Sequence, residues 1–215
     1  MCQAWFNFDA AAFLGDLRDL ALAGAAVVTA AAAVRGLRTW RQELRGKADF
    51  DVARGLIRAT YKVRDEIQSC RSPLISGSEY PPGYQTPAPG AHVDARAEAE
   101  AAAHMYQNRW QRVQAALQEF DSQTLEAEAL WGPDIRTSTQ ELRRCAHTLF
   151  VSIEAIVEDR AAGGEIFQRD REFARQMRAN AHAPPMATDN ALSNEIDAAV
   201  RELEAKLRGH LTRPR

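Results

Sequence analysis

Residues whose types could do chemistry are few in this 215-residue chain, and they are scattered. Histidines stand at 92, 104, 147, 182 and 210. The nearest approach to a ligand pair is Glu100 with His104, four residues on, with Glu98 beside them. On a helix, i and i+4 share a face, so the two side chains would meet. A helical di-metal site needs Glu-x-x-His on each of two helices and further glutamates. His147 and Glu154 lie seven apart and do not supply the second pair. These residues read as solvated polar positions, and no metal or cofactor is expected. Cys2, Cys70 and Cys145 form no CxxC or Cys/His spacing, which points to separate thiols in a reducing compartment. No G-x-S-x-G, Walker-type or G-x-G-x-x-G loop occurs, and Gly163-Gly164 reads as a helix stop. No catalytic residue can be named.

Composition supports a folded chain: 46% hydrophobic, 26% charged, with a net charge of −2. That balance argues against a nucleic-acid binder as a whole. Locally the charge differs, with ten Lys/Arg against five Asp/Glu from Arg35 to Arg71.

The elements that would position any site are helical, because no alternating strand pattern of useful length appears. Leu20–Val34 (LALAGAAVVTAAAAV) is fifteen residues without a charge. As a helix it rises about 22 Å, short of the roughly 30 Å hydrocarbon core of a bilayer. Leu14, Leu17 and Leu37 extend it, with Arg35 and Arg38 free to snorkel. Aromatic Trp5, Phe6, Phe8 and Phe13, with Asp9, Asp16 and Asp19, precede it. Arg35, Arg38, Trp40, Arg41, Arg45 and Lys47 follow it, as an interfacial girdle would. This asymmetry predicts a single transmembrane helix over 20–38, a short extracytoplasmic 1–19, and a cytoplasmic remainder. A solvated alanine-rich helix in a soluble bundle is the competing reading.

Gly46 reads as a break, with Asp49 capping the next helix. Ala53, Leu56, Ile57, Thr60, Val63 and Ile67 then form an apolar stripe. Arg54, Arg58 and Lys62 lie opposite, and a soluble nucleic-acid regulator using them is a further alternative. Thus 39–70 is a basic juxtamembrane and amphipathic segment. Residues 71–92 read as a Pro-rich loop, extended or mobile, in which Tyr80 and Tyr84 are a candidate partner motif.

The bundle proper is 93–215. Tyr106, Trp110, Val113, Leu117, Phe120, Thr124, Ala127 and Trp131 alternate spacings of 4 and 3, an a/d seam in a helix from Val93 to Trp131. Gly132-Pro133 stops it. Ile135, Leu142, Leu149 and Ile156 recur every seven in a fourth helix over Pro133–Ala162. The two form an antiparallel hairpin. Glu165–Arg178 reads as a short helix or arm. A last helix follows a cap at Asp189 or Asn190, with Leu192, Ile196, Val200, Leu203 and Leu207 inward.

Three stretches also carry a resemblance: TWRQELRGKADFDVARGLIRATYKVRDEI (Thr39–Ile67), RWQRVQAALQEFDSQTLEAEALWG (Arg109–Gly132) and NEIDAAVRELEAKLRGHL (Asn194–Leu211). They are similar to a group of small bacterial membrane-anchored helical proteins with an N-terminal span, a W-[RK]-x-x-L-x-G-K run and a Y-K-x-R-D helix. The resemblance covers a third of the chain and implies an anchor at the inner membrane. It implies no activity and no catalytic residue. The span here is more alanine-rich than the resemblance leads one to expect.

The expectation is therefore an all-α protein: a single N-terminal transmembrane helix, then an antiparallel helical bundle with a long hairpin. It would serve as a membrane-anchored interaction or scaffold protein whose partners are the lipid bilayer and a protein or second copy. A bundle enzyme or cofactor binder using Glu100 and His104 is the alternative.

Overall fold

The computed structural model describes residues 10–84, 94–183 and 190–212, with side chains from Leu22 onward, Ala23 apart. Every regular element among them is helical: α1 (Ala10–Cys70), α2 (Ala95–Trp131), α3 (Asp134–Ala161), α4 (Glu165–Arg169), α5 (Arg171–Ala181) and α6 (Ala191–Leu211). The chain divides into two units, Met1–Ala48 and Asp49–Arg215.

The first unit is the N-terminal part of α1. Its described side chains are exposed throughout, among them Leu22, Val27, Val28, Val34, Leu37, Trp40 and Leu44. Among the described residues, no helix is long and apolar enough to cross a membrane. The expected span over 20–38 is thus not supported. Alanine contributes little insertion energy, and Arg35 and Arg38 bound the described part of the run at its C-terminal end. The expected segment 1–19 lies outside the described residues up to position 9 and is helical from Ala10.

Gly46 does not break the helix, and Asp49 does not cap a new one; α1 passes through both. A single glycine costs about 1 kcal/mol relative to alanine. The good helix formers around it, Arg41-Gln42-Glu43-Leu44-Arg45, outweigh that cost.

In the second unit the seams expected from the sequence are the core. Leu56, Val63 and Ile67 from α1, Met105, Tyr106, Val113 and Phe120 from α2, and Leu142 and Leu149 from α3 are all buried. Leu192, Ile196, Leu203 and Leu207 complete it from α6. Burying each such side chain contributes about 1.5–3 kcal/mol. α3 is central, packing against α2, α5 and α6.

The ends are set by local chemistry. Asp94 caps α2 by accepting the Arg96 N–H at 3.0 Å. Gly132, at φ 86°, closes α2 with its N–H on the Glu128 carbonyl, a left-handed-side conformation that a Cβ would disfavour. Pro133 then starts the antiparallel return. The Asp159 carboxylate, buried at the end of α3, accepts the Phe167 N–H at 2.8 Å and folds α4 back. Asp170 caps α5 and Asn190 caps α6. The expected short helix over Glu165–Arg178 is therefore two, separated at Asp170.

Candidate functional site

Two arginines organise the end of the bundle where α1 stops. Arg71 is 1% exposed, and among the described residues its guanidinium meets only neutral acceptors. Nε donates to the Asn180 carbonyl at 2.7 Å, Nη1 to Ser193 Oγ at 2.9 Å, and Nη2 to Asn190 Oδ1 at 2.7 Å. It thereby closes the last turn of α5 and grips the cap of α6. Burial pulls its pKa down from the ordinary arginine value. Asn180 continues the network, donating to Ser152 Oγ at 3.1 Å.

Arg109, on α2, reaches the loop after α1. It donates to the carbonyls of Cys70, Ser72 and Leu74 and pairs with Glu79. The Arg109 hydrogen bond holds the Glu79 carboxyl below the usual carboxylate range. Glu79 also accepts the Ser76 N–H, so Ser76 and Glu79 form a capping box on a 3-10 turn, Gly77–Glu79. The segment expected to be wholly extended or mobile is thus ordered from Arg71 to Tyr84 by a cation on the neighbouring helix. Its remainder, 85–92, lies outside the described residues.

This loop brings Tyr80 and Tyr84 together, ring centroids 5.0 Å apart. Both lie near the α2–α3 hairpin: Glu98 and Tyr80 raise the Tyr84 pKa, after burial, and Arg160 opposes them. Beside them Tyr106 is buried and its hydroxyl meets His182 Nε2 at 3.1 Å. Burial pushes the Tyr106 phenol up to about 12. Burial, then the charges of Arg160, Arg109, Arg178 and Arg71, lower the His182 pKa. Both groups are held neutral at pH 7, so the phenol donates and the imidazole nitrogen accepts.

Tyr106 also forms part of an open groove between α2 and α3, about 410 Å³ in volume. Trp110 and Phe150 face each other at 5.0 Å, tilted 42°. Val157 and Ala103 continue the apolar floor, and Glu154 and Glu158 stand exposed on the rim. At the other end of the bundle the Asp49 carboxylate accepts the Trp131 indole N–H and meets His210 Nδ1 at 2.9 Å. His210 stacks on Trp131, centroids 4.1 Å apart. A carboxylate–imidazole pair of this kind orients a ring, and among the described residues it belongs to no group of three or more His, Cys, Asp or Glu that could hold a metal.

The residues expected to do chemistry are not brought together. Glu100 is paired with Arg96 at 3.0 Å on the exposed side of α2, and His104 joins no group of three or more His, Cys, Asp or Glu among the described residues. Cys70 and Cys145 are buried free thiols, each pushed up to about 11 by burial, and so poor nucleophiles. Of the basic trio on α1, Lys62 is paired with Glu119 at 2.6 Å, while Arg54 and Arg58 are exposed. Arg35, Arg38, Trp40, Arg41, Arg45 and Lys47 are all exposed on α1, Trp40 by 57%.

Sequence reasoning missed Arg71, Arg109, the Tyr106–His182 contact and the Asp49–Trp131–His210 cluster. Each joins residues at least 30 positions apart. An arginine at the end of an amphipathic helix looks the same whether it is solvated or buried. No family model, no curated protein and no solved structure matches the chain.

Proposed function

We propose that this chain is a membrane-anchored helical interaction protein, attached through the N-terminal part of α1 and presenting the 49–215 bundle to partners. One observation carries the reading. Leu22, Val27, Val28 and Val34 are 58%, 69%, 69% and 52% exposed on a stretch without charge, and none of the described residues covers them. Apolar helix surface of that kind is costly in water, and a bilayer removes the cost. The basic residues that follow suit anionic headgroups, at about 1 kcal/mol each near a charged surface. Exposed Trp40 suits the same depth. The resemblance to small bacterial membrane-anchored proteins supports the reading independently of these exposures.

Fifteen uncharged residues are short for a span, so the attachment relies on its flanks. Arg35 and Arg38 reach out to the headgroups while Leu37 stays with the apolar phase. The excess of arginine and lysine after the stretch supports, by the positive-inside rule, a cytoplasmic bundle at the inner membrane.

Flotation of the full-length protein tests this. It is expected to rise with vesicles containing phosphatidylglycerol and to stay bound at high salt. Val27→Asp with Val28→Asp is expected to leave it at the bottom of the gradient. If the doubly substituted protein floats as well as the parent, the apolar stretch is not the anchor.

A further inference from the structure

We propose that the groove between α2 and α3 is a docking site for a basic amphipathic helix of a partner protein. The inference goes beyond membrane attachment and does not rest on it. Its first support is shape. The groove lies open between two packed antiparallel helices and is lined over about two turns of each, Ala103 to Trp110 and Phe150 to Glu158, so a helix laid along it can reach both walls. Its floor is apolar and aromatic: Trp110 and Phe150, 5.0 Å apart, with Val157 beyond. Half-buried aromatic pairs are the anchors on which helix-in-groove interfaces concentrate their affinity.

The second support is charge. Glu154 and Glu158 lie four residues apart on α3, one turn or about 6 Å along the axis. Glu119, Asp121 and Glu128 on the hairpin are paired with Lys62, Arg143 and Arg136, whereas Glu126, elsewhere on α2, is exposed and away from the groove. Glu154 and Glu158 have no ion pair among the described residues. Arginines or lysines at i and i+4 on an incoming helix would match their spacing, with the apolar residues between them entering the floor. A cationic occupant is therefore selected and an acidic one repelled.

The test uses the full chain in neutral phosphatidylcholine nanodiscs, with empty nanodiscs as blank, titrated with a fluorescent Lys/Leu amphipathic peptide. If the protein does not enter nanodiscs, the same titration runs in plain buffer, so failure of the membrane reading is seen separately. Saturable binding is expected. Glu154→Gln with Glu158→Gln should weaken it by about tenfold or more, whereas Glu126→Gln with Glu202→Gln, on other exposed surface, should not. All four side chains are exposed, so these variants fold as the parent does. The peptide with glutamate in place of lysine should not bind. Equal affinity for both double variants, or no saturable binding to the parent, would overturn the proposal.

Discussion

Arg71 is the residue whose surroundings are least like those its type prefers. It is buried, charged and partnered by backbone carbonyls and neutral side chains, with no carboxylate in contact among the described residues. Its planar fork reaches acceptors on two helices at once, which a lysine ammonium cannot. Arg71→Met should destabilise the bundle by about 2–4 kcal/mol in urea unfolding, because the Asn180 carbonyl loses its guanidinium donor. Arg71→Lys should recover only part of that loss. The Tyr106–His182 contact makes a second prediction. The native His182 pKa lies below 6.5, so above pH 6.5 both folded and unfolded states carry neutral imidazole. As pH falls through 6.5 the unfolded chain takes up a proton that the native state resists, and stability drops. The melting temperature should therefore fall between pH 7 and pH 5.5, and His182→Gln should flatten that slope. The Glu79 contribution acts in a different window, because its native pKa lies below 4.5; it is present above that value and lost on further acidification.

At the scale of elements, the periodic helices were the legible part. The 4-3 seam of α2 and the seven-residue repeat of α3 were readable because burial selects apolar residues at the helical period. Their ends were readable from Gly132-Pro133 and Gly163-Gly164. Boundaries set by cooperativity were not. Gly46 looks like a stop in a local window, but a helix already formed on both sides propagates through it. A Cβ at Gly46 meets nothing within 4 Å. Gly46→Ala should thus slow amide exchange in the surrounding turns of α1, consistent with about 0.5–1 kcal/mol of added helix stability, and leave the urea midpoint of the bundle unchanged. Phe120→Ala should do the reverse. It empties a fully buried position and should cost the bundle about 3–5 kcal/mol without altering the N-terminal helix. The order in the 71–84 loop was illegible for another reason. It depends on Arg109, which lies on another helix, and Pro and Gly content reports only what the backbone cannot do.

For the molecule as a whole, the two units pose different physical problems. The 49–215 unit buries its apolar seams and satisfies its buried polar groups largely from within. The N-terminal unit leaves its apolar side chains exposed and its basic residues unpaired among the described residues. The sequence conveyed that contrast through its flanks more than through the apolar run itself, which is too short and too rich in alanine to decide by hydropathy. Attachment to a bilayer is the account that joins the two halves, and extraction of cell membranes tests it most directly. After a carbonate wash at high pH, the full-length protein should remain in the membrane pellet, and the Val27→Asp, Val28→Asp variant should appear in the supernatant. Complete release of the full-length protein by the same wash would contradict the account.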